Sequence, residues 1–442
     1  MPTLAHEARV VGRLSLPMVV GNVAMYGMGF VDTLVVGPLG KDALAGVSMA
    51  NNWAFACTVL GLGALRVVDP IVSQAHGAGD TRAVGKALSN ALGLALALSV
   101  PMWALLATTA WVLPALGQAP QLVPFAARYC AVLALGVPGS FAFAALRQVL
   151  QGMGVVREAT WVLLAANVVN LALVWGTVYG LGWGPLGCAA ATATCQTGSF
   201  FALRHLARDH VRALTPGGLL HGVSPATIGQ LLREGLPLGV QMGMEAWAFT
   251  TSGLMIGWLG PTAMAAHSIT LTLASLAFMV PLGIAGAGAT RVGNLIGAER
   301  PWGRAAAAAL LLGCGVMSAF AVTFGGFARE VASLWQPEPE VLTMCAVLLP
   351  IAATFSLFDG LQVVSFGILR GAGDLRVPSL ANLLAYWVLG IPLGAWLAFR
   401  EGMGAVGVWT GLAVGLCSVG LLLLARVAHI ARRGARRVAL GG

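Results

Sequence analysis

Three carboxylates lie deep inside long apolar stretches of the chain. Asp32 stands in the run AMYGMGFVDTLVVGPLG, and Glu245 and Asp359 stand in similarly apolar surroundings. A charged aspartate at the centre of a membrane helix costs about 2.5–3.5 kcal/mol on insertion scales. A carboxylate that is partly withdrawn from water exchanges readily between a protonated form and a form paired with a cation. Three such acids therefore predict a solvated or ion-occupied cavity through which something cationic passes.

Polar side chains accompany these acids at helical spacing. Residues at i, i+4 and i+11, or at i, i+3 and i+6, lie on one face of a helix. We expect supporting contacts to substrate or ion from Gln241 and Ser252 on the helix of Glu245, Ser356 and Gln362 on the helix of Asp359, Asn167 and Asn170 on a further helix, and Tyr26 and Tyr386. Each acid taken singly could instead be protonated and hydrogen-bonded for structure, and that alternative stays open for the single residues.

Other chemistry is not indicated by the sequence. The seven cysteines contain no CxxC pair, and His76 and His267 lack the spacing of a metal site. GAGD occurs at 77–80 and 371–374 but falls at turns, so an intramembrane protease is not favoured. A channel filter or a catalytic set is likewise not found in the sequence. We therefore predict no enzyme activity, no cofactor and no catalytic residue.

The composition indicates the elements that must hold these acids. Hydrophobic residues make up 58% of the chain and charged residues only 9%, against about 25% charged residues in soluble domains. A membrane helix needs about 20 apolar residues. An all-α polytopic membrane protein is thus predicted, with twelve transmembrane helices near 14–39, 46–72, 86–114, 126–150, 159–181, 184–207, 236–259, 264–290, 305–328, 343–369, 378–399 and 404–427.

Basic residues predict the orientation of these helices. With the N-terminus inside, all but four of the 25 Lys and Arg residues fall on the inner side, the four being Lys41, Arg128, Arg329 and Arg400. The sequence therefore predicts a multi-pass protein of the bacterial cytoplasmic membrane with both termini in the cytoplasm. The net charge of +9 is explained by this topology and by attraction to anionic membrane lipids, without nucleic acid.

The chain repeats itself at a shift of 220 residues. Pro17 matches Pro237, and Gly37 matches Gly257, within stretches of similar sequence. Six helices per copy give parallel repeats, which predicts a transporter with its binding site in a central cleft between the halves. The predicted organisation is an N-terminal six-helix half at 1–207, a cytoplasmic linker at 208–233, a C-terminal six-helix half at 234–428 and a basic cytoplasmic tail at 429–442. The acids do not recur between the copies.

Several long motifs resemble one transporter family over nearly the whole chain. The segments VDTLVVGPLGKDALAGVS, EGLPLGVQMGMEAWAF and FSLFDGLQVVSFGILRGAGDLRVP are similar to those of the multidrug and toxic compound extrusion (MATE) transporters, in the bacterial NorM-like branch. The resemblance implies a cation-coupled antiporter. By motif position, Asp32, Glu245 and Asp359 match the family's acids, and Asn170 matches its asparagine. Val174 stands where some relatives carry an acid. The resemblance therefore favours Glu245 and Asp359, rather than two acids of the N-terminal half, as the site of Na⁺ or H⁺ coupling.

The resemblance and the acids together predict a secondary active multidrug efflux antiporter. It would export organic, mainly cationic amphiphilic compounds in exchange for Na⁺ or H⁺ by alternating access, with no obligate protein partner. The alternative is a lipid-linked oligosaccharide flippase of the same superfamily. A flippase should line its cavity with Arg and Lys to hold pyrophosphate, and Arg147 is the single candidate for a deep basic residue in the sequence.

Overall fold

The structure, a computed structural model, describes residues 3–118, 120–435 and 437–438, without the side chain of residue 30. Every regular element within these ranges is helical, which confirms the all-α prediction. Helices are expected in a chain this apolar, because a backbone in lipid must satisfy its hydrogen bonds within the segment. The multi-pass membrane character follows from the number of long apolar helices.

Eighteen α-helices follow one another along the described chain. The first nine are α1 (Leu4–Val36), α2 (Lys41–Leu65), α3 (Val68–Gly77), α4 (Thr81–Ala107), α5 (Thr109–Ala115), α6 (Val123–Ala134), α7 (Val137–Gly152), α8 (Arg157–Trp175) and α9 (Leu186–Leu206). The other nine are α10 (Arg208–Leu214), α11 (Pro225–Gly257), α12 (Pro261–Gly297), α13 (Gly303–Gly326), α14 (Ala328–Ser333), α15 (Pro339–Gly371), α16 (Arg376–Leu384), α17 (Ile391–Phe399) and α18 (Gly404–Arg433).

Each of the twelve predicted spans has a helical counterpart. Among the described residues, nine helical spans are each long and apolar enough to cross a membrane. The number is ten if the bent pair α6 and α7 counts as one span. This pair bends by 48°. Helices α9 and α11, the counterparts of the sixth and seventh predicted spans, fall outside that set. The count of twelve membrane crossings therefore stays a prediction.

Two spans contain π-helical segments. The first is Gly176–Gly180, which continues α8, and the second is Ala385–Gly390, which joins α16 to α17. π-Helical segments are rare in proteins, and those that occur are often found at functional sites. The second segment carries Tyr386, one of the predicted site residues, and holds it buried.

The described chain forms two compact units. One unit comprises the described part of Met1–Val19 together with Met244–Val438, and the other comprises Val20–Gly243. We call them the C-unit and the N-unit. The chain passes from one unit to the other within α1 and within α11 rather than in the linker. This division rests on contacts, so the repeat-based halves 1–207 and 234–428 stay a prediction.

In the C-unit, α15 packs against α12, α13 and α18. The approach of α15 to α12 is close, since a Cβ atom added at Gly367 would meet the carbonyl oxygen of Ala285. A Cβ atom at Gly371, one turn further on, would meet the carbonyl oxygen of Ala289 in the same way. Small residues at such spacing let membrane helices approach closely. This contact fixes the helix that carries Asp359.

Each unit includes the beginning of a helix that continues in the other. In the C-unit, Val19 of α1 lies against Gly283 of α12, where an added Cβ would lie 2.8 Å from the Val19 nitrogen. In the N-unit, Gly239 of α11 lies against Gly63 of α2, with 2.7 Å from an added Cβ to the Gly239 Cα. Residues 63 and 283, like 19 and 239, are 220 apart. The contact between residues 19 and 283 thus recurs, at the shift of 220 residues, as the contact between residues 239 and 63.

Candidate functional site

In the N-unit, the Asp32 carboxylate lies on the second half of α1 and is 3% exposed. The hydroxyl Oγ1 of Thr192 in α9 donates to its Oδ2 at 3.3 Å. Its Oδ1 has no hydrogen-bond partner among the described residues. A buried carboxylate oxygen is expected to have a partner. The site therefore suits a proton or a cation as the partner of Oδ1.

Other side chains of the N-unit surround this carboxylate. The charge of Asp32 acts on the Tyr129 phenol and on the Cys188 and Cys195 thiols. The Cys195 thiol donates to the carbonyl oxygen of Ala166 at 3.9 Å and lies near Asn170, whose amide has no hydrogen-bond partner among the described residues. Asn170 is fully buried. Cys195 thus connects two predicted residues, Asp32 and Asn170.

Asn167 and Tyr26 have other surroundings. The Asn167 amide nitrogen donates at 2.8 Å to the carbonyl oxygens of Ala24 in α1 and Leu163 in α8. Asn167 therefore holds α8 against α1, which positions the helix of Asp32. The side chain of Tyr26 is 44% exposed, and the structure records no contact of it with Asp32 within the described ranges.

In the C-unit, three groups from separate elements form a buried acidic cluster. Asp359 of α15 is 6% exposed, and the charge of the partly buried Glu245 of α11 acts on it. The charges of both acids act on the phenol of Tyr386 in the π-helical segment. The structure thus brings together the two acids and the tyrosine that the sequence predicts. Two close carboxylates favour a bound cation or proton between them.

Amide and hydroxyl groups extend this cluster along α15. Gln362 donates to the side-chain oxygen of Asn382 in α16 at 2.9 Å. Gln362 Oε1, Asn382 Nδ2, Ser356 Oγ and the Tyr386 hydroxyl are buried without a hydrogen-bond partner among the described residues. Buried polar atoms of this kind point to water or an ion as partner. Oxygen atoms of these types are the donors that hard cations such as Na⁺ prefer.

The two supporting residues predicted on α11 are placed differently. Ser252 is 1% exposed, and its hydroxyl donates to the carbonyl oxygen of Ala248 at 2.9 Å in the same helix. Gln241 is 8% exposed and belongs to the N-unit, whereas Glu245 belongs to the C-unit. Within the part of the chain that is described, no group of three His, Cys, Asp or Glu side chains suits a metal ion.

The structure adds residues that the sequence analysis does not single out. In the C-unit, aromatic rings connect Tyr386 to His267 through successive contacts of 5.7–6.0 Å between ring centroids, the intermediate rings being Phe249, Phe355 and Trp409. Trp387 donates to the carbonyl oxygen of Met244 at 3.0 Å. These residues come from four helices and a π-helical segment, so helical periodicity within one segment gives no signal for them. Thr192, Tyr129 and Asn382 are missed for the same reason.

The chain matches one family model and many known proteins. The MatE family model matches residues 17–175 and 237–396. The "Probable multidrug resistance protein NorM" of Deinococcus radiodurans is 38% identical, with 98% of each chain covered. The "Multidrug resistance protein NorM" of Burkholderia vietnamiensis is 34% identical, with 96% of this chain and 94% of that protein covered.

Solved structures of MATE transporters have the same fold. The eukaryotic MATE transporter AtDTX14 superimposes with a TM-score of 0.86 at 22% identity, over 97% of this chain and 98% of that one. The Vibrio cholerae MATE transporter VcmN in the bent form gives 0.86 at 17% identity, over 97% and 98%. These similarities extend over nearly the full length, so both repeats of the chain are included.

Proposed function

Since the chain belongs to the MatE family, we propose that it is a multidrug efflux transporter that exports organic, mainly cationic amphiphilic compounds in exchange for Na⁺ or H⁺. The observation that supports this proposal is the pair of buried acidic sites, with Asp32 in the N-unit and Glu245 with Asp359 in the C-unit. Buried acids in a membrane protein mark ion and substrate pathways. The relatives' names refer to multidrug resistance, which fits such a role.

The C-unit cluster is the proposed site of the coupling ion. Glu245 and Asp359 supply negative charge, while Tyr386, Gln362 and Asn382 supply uncharged polar atoms. Binding of one Na⁺ or one proton lowers the charge of the pair from −2 to −1 and so relieves the repulsion between two ionised acids. An ion that binds one conformation more tightly than another shifts the protein toward that conformation. This differential binding is how the ion would drive alternating access.

The N-unit site is the proposed contact for the cationic group of the substrate. Asp32 has one oxygen bonded to Thr192 and one oxygen without a protein partner. An ammonium group or a proton would occupy the second oxygen, and the two compete for the same charge. Exchange of one for the other releases the substrate as a proton binds.

The membrane setting follows from the same proposal. A bacterial cytoplasmic membrane with both termini inside fits the distribution of Lys and Arg. A transporter of this type carries out no covalent chemistry and would have no catalytic residue. Na⁺ or H⁺ enters as a transported ion rather than a resident cofactor.

Ethidium efflux from proteoliposomes tests the proposal. A Na⁺ gradient and a pH gradient are imposed separately, and efflux is followed by fluorescence. We expect efflux under at least one gradient and its loss in Asp359→Asn. Glu340→Gln is the matched control, because Glu340 lies exposed at the beginning of the same helix. Efflux that persists in all three single neutral variants of Asp32, Glu245 and Asp359 would overturn the proposed coupling.

A further inference from the structure

An arginine inside the membrane-spanning part of the N-unit has no acidic partner among the residues that the structure describes. Arg147 of α7 donates through Nη2 to the side-chain oxygen of Asn22 at 3.0 Å and through Nη1 to the Met25 sulfur at 3.5 Å. Both partners lie on α1 and are uncharged. No carboxylate oxygen lies within 4.0 Å of its guanidinium in the described chain.

A charge in this position needs an explanation. Arginine stays protonated in proteins, so burial does not remove its charge. Buried charges are normally paired, and an ionisable residue in a membrane span marks a functional site. Arg147 is half-buried, and its Nε atom has no hydrogen-bond partner among the described residues, which leaves that donor free for a ligand.

Arg147 faces the same side of α1 as Asp32. Its Nη2 atom lies 3.7 Å from the position of a Cβ at Gly21. Gly21, Met25 and Asp32 lie within about 40° of one another around a helix of 3.6 residues per turn. Met25 and Asp32 are about 10 Å apart along the axis. One side of α1 thus carries the Asp32 carboxylate and, about two turns before it, faces the guanidinium of Arg147 on α7.

We propose that Arg147, with Asn22, is an anion subsite that binds the carboxylate of amphiphilic substrates. A guanidinium binds a carboxylate through two parallel hydrogen bonds, which a neutral ester cannot reproduce. A zwitterion of drug size would place its ammonium group toward Asp32 and its carboxylate on Arg147. This inference rests on the proposed efflux function and assigns to Arg147 the selection between substrates that carry a carboxylate and those that lack one.

Two dyes that differ by one ester group test the inference. Rhodamine 110 has a free carboxyl group, and rhodamine 123 is its methyl ester with a net positive charge. Efflux of each dye is measured in proteoliposomes under the gradient that drives ethidium, with protein-free liposomes as the leak control. We expect Arg147→Gln to reduce rhodamine 110 efflux at least tenfold and to change rhodamine 123 efflux less than twofold. Arg128→Gln, at an exposed arginine, should change neither rate.

The outcomes separate this inference from the proposed function. If the native protein exports rhodamine 123 but not rhodamine 110, or if Arg147→Gln slows both dyes equally, the subsite is overturned and the efflux function stands. If neither dye nor ethidium moves, the efflux function fails as well. If Arg147→Gln does not fold, Arg147→Lys decides, since it keeps the charge but loses the two-pronged geometry. We then expect the ratio of rhodamine 110 to rhodamine 123 rates to fall at least threefold, and an unchanged ratio overturns the subsite.

A lipid phosphate offers similar chemistry to a carboxylate. The same assay is therefore run in phosphatidylcholine vesicles with and without phosphatidylglycerol. If Arg147 binds substrate, we expect phosphatidylglycerol to leave the ratio of the two dye rates of the native protein unchanged. A fall in both rates with phosphatidylglycerol that disappears in Arg147→Gln would assign the site to lipid and overturn the proposal.

Discussion

The two oxygens of the Asp32 carboxylate have different surroundings. One accepts a hydrogen bond from Thr192, and the other has no partner among the described residues. The bonded oxygen fixes the orientation of the side chain, while the second oxygen stays available for exchange. Removing the hydroxyl would therefore disturb the orientation of the acid without removing its charge.

Thr192→Val tests this role at Asp32. We expect the apparent ion affinity or the apparent substrate affinity to change about three- to tenfold, because the contact of 3.3 Å is long and contributes less than the roughly 1.5–3 kcal/mol of a good hydrogen bond to a charged group. Ethidium efflux at varied ion and ethidium concentrations measures both affinities. Thr194→Val is the matched control, since Thr194 lies on the same helix with its hydroxyl bonded to the Ala190 carbonyl oxygen. Equal effects of the two variants would contradict the role of Thr192.

Tyr386→Phe tests the acidic cluster of the C-unit. The variant removes one buried hydroxyl that lies near Glu245 and Asp359 and keeps the ring that contacts Phe249. We expect the apparent affinity for the coupling ion to fall about fivefold, which corresponds to a hydrogen bond of about 1 kcal/mol. Tyr26→Phe should leave the ion affinity unchanged, because Tyr26 is exposed. An unchanged ion affinity in Tyr386→Phe would exclude its hydroxyl from the ion site.

The sequence singles out three acids as candidates but gives no signal for the groups that contact them. An acid in an apolar run is visible because its neighbours along the chain are apolar. Thr192 contacts Asp32, and Asn382 contacts Gln362, in each case from a different helix. Nothing in the sequence around Thr192 or Asn382 marks them as partners of these groups. Contacts between helices depend on packing, which spacing within one helix does not encode.

At the scale of the elements, the contact between α12 and α15 depends on the absence of side chains. Gly371 lies against the carbonyl oxygen of Ala289, so no side-chain atom fits between the two backbones. Overpacking a well-packed contact costs about 1–3 kcal/mol. Because α15 carries Asp359 and Gln362, a shift of this helix would also move the ion site.

Gly371→Ala tests this contact. We expect a lower thermal unfolding temperature in detergent and reduced efflux, because the two helices must move apart. Gly315→Ala on α13 is the matched control, since an added Cβ there meets nothing within 4 Å. The control should be neutral or slightly stabilised, as alanine is favoured over glycine in helices. A Gly371→Ala protein that unfolds at the native temperature would contradict the close approach.

Hydropathy predicts where helices lie but not where they break. The predicted second span is divided into α2 and α3, and the predicted fourth span bends between α6 and α7. The π-helical segments add one residue to a helical turn without any marked change in composition. In the second segment, Gly390 packs closely, since an added Cβ would meet backbone atoms of Ala385 and Gly411.

At the scale of the whole molecule, an ion pair within the C-unit joins two distant parts of the chain, α1 and α12. Arg291 of α12 donates through Nε and Nη2 to both oxygens of Glu7, at 2.7 Å each. The Glu7 side chain is 1% exposed. Removing one partner of a fully buried pair costs about 3–5 kcal/mol, and we expect less here because the Arg291 side chain is 23% exposed. The repeat at 220 residues predicts the helices here but not this pair, because residues 227 and 71 in the other copy are threonine and isoleucine.

Glu7→Gln tests the pair. We expect a clear fall in the thermal unfolding temperature and a recovery in the double variant Glu7→Gln with Arg291→Gln, which leaves no unpaired charge. Glu299→Gln is the matched control, because its ion pair with Arg437 is exposed and such pairs contribute about 0–1 kcal/mol. Equal unfolding temperatures in Glu7→Gln and Glu299→Gln would show that the buried pair contributes no more than the exposed one.

This ion pair also imposes an order on biogenesis. Arg291 follows Glu7 in the chain by 284 residues, so Glu7 is synthesised first. At a synthesis rate of about 5–20 residues per second, roughly 15–60 s pass before Arg291 leaves the ribosome. During that time the first turns of α1 await their partner, while the later part of α1 already has neighbours in the N-unit. A nascent chain that stops before α12 would therefore leave the Glu7 carboxylate without its arginine.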